Sequence, residues 1–213
     1  MGTASDAASG KGRLREELLR RRAARSPAER ASAATRVAGA LSAGVAGAPT
    51  VAAFVPDETE PGHGLLPGAL TRDGARLLLP VVPARGRELD WAEHAGELAP
   101  GRFGLLEPVG ARLGAGALGA ADVVVVPATA VSRTGARLGR GAGYYDRALR
   151  HARPGAVLVA VVFDDELLDS LPTEPHDVPM TAVVTPSGGW QALPAGHWDS
   201  ERASSPQTPW EHP

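Results

Sequence analysis

Residues 121–127, Ala-Asp-Val-Val-Val-Val-Pro, constrain the fold of this chain more than any other stretch. Four consecutive valines are stiff at χ1 and suit a strand better than a helix. A strand with one wet face alternates apolar and polar residues. This one does not alternate, so both of its faces are covered, which is the habit of parallel strands flanked by crossover helices. Residues 156–163 repeat the pattern in Ala-Val-Leu-Val-Ala-Val-Val-Phe.

The segments around these strands supply the helices. Residues 11–25 predict a basic amphipathic helix, with Leu14 and Leu18 one turn apart and Lys11 and Arg15 one turn apart on a neighbouring stripe. Ser26-Pro27-Ala28-Glu29 predicts a second helix start, with serine as N-cap, proline at the first helical position and glutamate closing a capping box. Its core stripe is Val37, Leu41 and Val45. Further strands are expected over 51–55, 76–82 and 181–185, helical segments over 65–71, 142–151 and 164–170, and a loop over 56–63. Residues 83–101 read as irregular with a short strand near 89–91, and 103–108 as extended.

Strands alternating with helices predict a three-layer α/β/α fold with a largely parallel central sheet, as a single domain over 11–186. Residues 1–10 are expected to be a flexible N-terminus and the Pro/Ser/Gly-rich residues 187–213 a disordered tail. At 213 residues the chain fills one core comfortably. The net charge of −2 gives no electrostatic case for nucleic acid or a membrane surface. Without cysteine there is no disulfide framework or thiolate metal site, and no apolar run is long enough to span a bilayer. These features, with no hydrophobic signal segment at the start, lead us to expect a cytoplasmic protein acting on small molecules, as a monomer or weak homo-oligomer.

Chemistry concentrates in residues 137–147, Arg-Leu-Gly-Arg-Gly-Ala-Gly-Tyr-Tyr-Asp-Arg. Gly139, Gly141 and Gly143 leave backbone that a ligand can approach closely. Arg137 and Arg140 add guanidinium forks, and the predicted helix start favours anions, so the segment suits a polyphosphate. The two arginines also fit as solvated loop residues. Tyr144 and Tyr145, the only tyrosines, divide naturally between packing and ligand contact. Asp146 suits either an ion pair with Arg150 one turn on or a contact to Mg²⁺ beside a phosphate. Lys11 is the only lysine among 22 basic residues, as though a compact ammonium were needed there, or as a chance survivor.

Glu60, in a Pro/Gly loop past a strand end, stands where α/β folds place ligand contacts, although an exposed loop acid has the same pattern. His176-Asp177 has equal standing. A P-loop is excluded by the absence of Gly-Lys-Ser/Thr. A dinucleotide fold would use Asp164 as its ribose acid, but twelve residues separate Val126 from Gly139, where that fold places its first glycine directly after the strand.

Taken together, residues 11–186 resemble the 5-formyltetrahydrofolate cyclo-ligases, also called methenyltetrahydrofolate synthetases. Lys11-x-x-Leu14-Arg15 is similar to that family's basic helix start, and Phe54 followed by Glu60 to its strand and pterin-binding loop. Phe103-Gly-Leu-Leu-Glu-Pro108 resembles its central Glu-Pro segment, Arg137 to Asp146 its glycine-rich signature, and Pro172 to Pro179 its C-terminal signature. Ala142 stands where the family often has lysine, and His63 where many relatives have a small hydroxyl residue.

The resemblance implies ring closure of 5-formyltetrahydrofolate with ATP as co-substrate and Mg²⁺ as cofactor. It implies ATP contacts from Lys11, Arg15, Arg137, Gly139, Arg140, Gly141, Gly143 and Tyr144, and catalytic roles for Arg137, Arg140 and Tyr145. It further implies folate contacts from Val55, Glu60 and Tyr145, and metal contacts from Asp146 and Asp177. Two other functions remain open on sequence: a nucleotide- or folate-binding module without turnover, and a dinucleotide-dependent oxidoreductase.

Overall fold

The structure is a computed structural model that describes residues 4–173 and 177–194. Helix α1 spans Ala4–Ala24 and α2 spans Pro27–Gly44. The capping box at the start of α2 forms as the sequence predicts: the Glu29 amide donates to the Ser26 hydroxyl at 3.3 Å, and the Ser26 amide donates to the Glu29 carboxylate at 2.7 Å. Val37, Leu41 and Val45 are fully buried along one stripe.

The strands, in chain order, are β1 (Thr50–Ala52), β2 (Arg76–Val81), β3 (Asp90–Glu93), β4 (Leu98–Pro100), β5 (Leu106–Pro108), β6 (Val123–Pro127), β7 (Ala130–Ser132), β8 (Arg137–Leu138), β9 (Val157–Val161), β10 (Leu167–Leu168), β11 (Ala182–Thr185) and β12 (Gly189–Ala192). A short helix, α3 (Tyr144–Ala148), follows β8.

Seven strands form the central sheet in the order β12-β11-β9-β6-β1-β2-β3. The inner five run parallel, and β3 and β12 are antiparallel edges. The valine run is its middle: Val123 and Val125 join the cluster under α2, while Val124 and Val126 face the opposite cluster with Leu118 and Leu149. Both faces of β6 are therefore dry, as its unbroken apolar run requires. Among the described residues, no helix is long and apolar enough to cross a membrane.

A second sheet, in the order β10-β7-β8, lies beyond the end of β6. Helix α1 packs on it through Leu18, which shares a cluster with Ala130 and Leu138. Burying a leucine in this way stabilises by about 1.5–3 kcal/mol. This small sheet is where the structure departs most from the sequence reading. Residues 130–138, for which the sequence suggests no element, form a hairpin turning at Gly135 (φ +90°).

Both chain ends differ from expectation. Helix α1 already starts at Ala4, within the stretch expected to be a flexible N-terminus. Residues 189–192, expected to be tail, form β12 and cover the edge of β11. The Pro/Ser/Gly-rich composition hides both the turn at 186–188 and the anchor, Trp190. Its ring lies over Gly44, where a Cβ would come within 2.2 Å of the indole. The rest of the expected tail, 195–213, lies outside the described residues. The helix expected over 142–151 has only five α-helical residues before a 3₁₀ turn (Leu149–His151), and 164–170 is a 3₁₀ turn leading into β10.

Candidate functional site

From β1 the chain goes to β2 on one side, and later returns to β6 on the other, so the strand order reverses between β1 and β6. Open α/β sheets bind ligands at such a point, outside the carboxyl ends of the strands. A cavity of about 380 Å³ lies there. Phe54 and Val55 leave β1 into its wall, Pro127 and Ala128 end β6 in it, and residues 139–146 close one side. Pro80, Leu89 and Phe103 make an apolar flank.

Glu60 reaches the cavity on the tight turn after β1. Its Oε2 accepts from the Asp57 amide at 3.0 Å, and its Oε1 lies 3.4 Å from the guanidinium of Arg140. Arg140 also pairs with Asp57. Burial pushes the Glu60 carboxyl above the usual glutamate range; Arg140 opposes that shift and the charge of Asp57 adds to it. Asp57, despite its own burial, is held below the usual aspartate range by hydrogen bonds from Thr59 and by Arg140. Two acids of opposite tendency thus share one guanidinium.

Arg137, on β8, is 7% exposed and pairs with Asp146, the third residue of α3. Burial pushes its pKa down, and the charges of Asp146 and Asp177 oppose this. Asp146 pairs with Arg137 across the loop, and among the described residues it makes no ion pair with Arg150. Tyr145 lies over both core clusters with its hydroxyl inaccessible to water and without a hydrogen-bond partner among the described residues. Burial and the nearby Glu60 charge push that hydroxyl upward, so it stays protonated at neutral pH. Tyr144 packs on one cluster and also lines the cavity.

Lys11 and Arg15 approach the glycine loop from outside the cavity wall. Arg15 Nε donates to the Gly139 carbonyl at 2.8 Å, and its guanidinium lies against Gly141 (φ +92°), where a Cβ would sit 3.4 Å away. Lys11 Nζ lies 3.4 Å from Asp177. Because α3 is so short, the anion preference of this loop rests on guanidinium groups and bare backbone, with little help from a helix macrodipole.

Beneath the site, sequence reasoning missed a buried clamp. Arg22 donates from Nε and Nη2 to the two carboxylate oxygens of Glu166, both at 2.7 Å, and Nη2 also meets the Ala128 carbonyl at 2.6 Å. Both side chains are 1% exposed. Although burial disfavours its charge, the pairing raises the pKa of Arg22. The clamp ties α1 to the end of β6 at the cavity. Its only sequence signal is that Arg22 continues the Leu14–Leu18 stripe by one more turn. Asp57 and Thr59 were missed as well; the Asp-x-Thr turn, in which Asp57 accepts from the Thr59 amide at 2.8 Å, was their signal.

The remaining candidates divide. Asp164, the ribose acid of the dinucleotide alternative, instead accepts from the Ser187 amide and hydroxyl at 2.9 and 2.7 Å. Ala142 lies in the cavity wall, and His63 Nδ1 is 3.1 Å from the Pro56 carbonyl. His176 lies outside the described residues.

Comparison with known proteins identifies the family and the fold. The pattern of the 5-formyltetrahydrofolate cyclo-ligase family matches residues 7–186. A 5-formyltetrahydrofolate cyclo-ligase of Mycolicibacterium smegmatis is 48% identical over 188 residues, covering 86% of this chain and 97% of that protein. One from Escherichia coli K12 is 35% identical over 146 residues, covering 67% and 80%. Among solved structures, the 5,10-methenyltetrahydrofolate synthetase of Aquifex aeolicus superposes with a TM-score of 0.71 at 28% identity, covering 95% of this chain and 99% of that one.

Proposed function

Since the chain belongs to the 5-formyltetrahydrofolate cyclo-ligase family, we propose that its cavity closes 5-formyltetrahydrofolate to 5,10-methenyltetrahydrofolate while ATP is hydrolysed to ADP and phosphate. The formyl oxygen attacks the γ-phosphorus and ADP departs, leaving an imidate-like phosphate on the formyl carbon. N10 then bonds to that carbon and gives up its proton to solvent, the C–O bond breaks, and phosphate leaves. The substrate supplies both nucleophiles, so the protein contributes position and charge.

Arg137 and Arg140 neutralise the transferring phosphoryl group, with Lys11 and Arg15 holding the glycine loop and the outer phosphates. Gly139, Gly141 and Gly143 give close backbone approach, and Tyr144 flanks the nucleotide. Glu60 takes the amino-pyrimidine edge of the pterin, with Val55 below it. We assign the Tyr145 hydroxyl, which has no hydrogen-bond partner among the described residues, to the formyl oxygen of the substrate. Asp146 and Asp177 fit Mg²⁺: both carboxylates act on the same guanidinium, Arg137, and Mg²⁺ characteristically takes one or two carboxylates and fills its shell with phosphate and water. When bound, the ion neutralises charge on the β- and γ-phosphates. The near-neutral charge of −2 is in keeping with small-molecule partners, and our reading places the protein in the cytoplasm as a monomer or weak homo-oligomer.

One observation carries this reading: Glu60, Tyr145 and the arginine-bearing glycine loop share one cavity at the reversal of strand order. The test is the absorbance of methenyltetrahydrofolate formed from 5-formyltetrahydrofolate with and without Mg-ATP. Strictly ATP-dependent product is expected. Binding of either substrate without product would point to a binding module instead.

A further inference from the structure

The β4–β5 hairpin separates the main cavity from a second one of about 640 Å³, and Val82 and Glu107 belong to both walls. At the hairpin tip, Arg102 lines the second cavity and Phe103 the first. The two side chains touch: the guanidinium carbon lies 5.5 Å from the ring centroid. Arg112 stands in the same second cavity.

The polar groups there are unequally occupied. Asp90 accepts from the Trp91 and Gly114 amides, both at 2.7 Å, and Glu107 accepts from the Val82 amide at 3.0 Å. Both acids are therefore fixed by backbone donors. Among the described residues, Arg102 pairs with no carboxylate and commits one nitrogen to the Ala84 carbonyl at 2.9 Å. Arg112 is a loose 3.8 Å from Glu107 and half-exposed. Two guanidinium forks thus keep open donor positions, which suits carboxylates.

If the main cavity binds 5-formyltetrahydrofolate as proposed above, the substrate's far end must leave the pterin position. Glu60 fixes one end, and the arginine-glycine loop is taken by the nucleotide. The apolar flank of Pro80, Leu89 and Phe103 remains for the aminobenzoyl ring. Beyond Phe103 stand Arg102 and Arg112. On that reading of the main cavity, we infer that these two arginines receive the α- and γ-carboxylates of the substrate's glutamate, making the second cavity a carboxylate subsite of the folate site.

Steady-state kinetics on an Arg102→Ala/Arg112→Ala double variant test this, using 5-formyltetrahydrofolate and the matching 5-formyltetrahydropteroate, which lacks the glutamate. The substitutions should raise KM for the glutamate-bearing substrate about tenfold, the scale of losing charge-assisted contacts. The KM for ATP and the kinetics with the pteroate should stay level with the parent protein. Equal losses on both substrates would overturn the inference, since the arginines would then be acting through the hairpin's structure. An unchanged KM for both would overturn it too. Absence of product from the parent protein with either substrate would instead bring down the cyclo-ligase reading, and the glutamate subsite with it.

Discussion

Arg140 lies 3.4 Å from Glu60, so the loop expected to hold phosphate is latched by a charge to the loop expected to hold the pterin. Replacing Arg140 with alanine should lower kcat/KM by the equivalent of about 2–4 kcal/mol, the scale of losing one preorganised charge contact. It should also move the acid limb of the folate kcat/KM profile to higher pH. Arg140 lowers the pKa of Glu60, so without it the carboxyl ionises later as pH rises. Turnover at the parent rate would remove Arg140 from the mechanism; an unmoved acid limb would separate it from Glu60.

Glu60→Gln separates binding from stability. KM for the folate should rise more than KM for ATP, and equal rises would sink the pterin assignment. Stability should move the other way. Burial raises Glu60's pKa, so the folded protein holds that proton over a range where the unfolded chain has lost it. The parent's stability therefore falls, relative to the glutamine variant, as pH rises through the elevated pKa. Melting curves should nearly coincide below the ordinary glutamate range and separate in favour of the variant as pH rises from there through the elevated pKa.

Breaking the Arg22–Glu166 clamp on one side should be severe. Arg22→Met leaves a carboxylate in a site 1% exposed, and removing one partner of a buried pair costs about 3–5 kcal/mol. An Arg22→Met/Glu166→Met double variant should regain much of that in urea unfolding. If the single variant unfolds at the parent's midpoint, water is reaching the clamp.

Tyr145→Phe removes a buried hydroxyl that has no partner. Its thermal midpoint should therefore stay level or rise, since no hydrogen bond within the protein is lost. Turnover should nonetheless fall if that hydroxyl meets the substrate. A large drop in melting temperature would reveal a partner inside the fold and weaken the substrate contact.

Gly44→Ala tests whether β12 is an integral part of the domain. The new methyl would overlap the Trp190 ring, and overpacking of this kind costs about 1–3 kcal/mol. Combined with Trp190→Ala, the glycine substitution should become nearly neutral. Additive losses would mean that the ring and the helix end are not in contact.

What the sequence made legible follows the range of the forces involved. The capping box at Ser26 and the strand at Val123 depend on neighbours within a few residues or on an unbroken apolar run, and both were readable directly. The hairpin at 130–138 was not, because the glycines that end it dominated the reading of the whole segment and masked the Thr134-Gly135 turn. Trp190 was hidden by the polar composition around it. At the site, Glu60 was singled out only by the family resemblance, whereas the glycine loop stood out by residue type and spacing. The partners of Arg140 did not, because Asp57 lies more than eighty positions away and only the reversal of strand order brings the two loops together. For the same reason Arg22 and Glu166 looked like ordinary surface charges until the fold buried them.

Lys11 and Asp177 meet at 3.4 Å although 166 positions separate them. A chain still emerging from the ribosome therefore cannot close this contact until nearly all of the domain has been synthesised. If the cavity binds folate and nucleotide as proposed, these ligands favour finished molecules, in which the first helix has already met the segment leading into β11. Cellular abundance should then follow substrate supply, with ligand-starved cells losing this protein faster to proteolysis than replete ones.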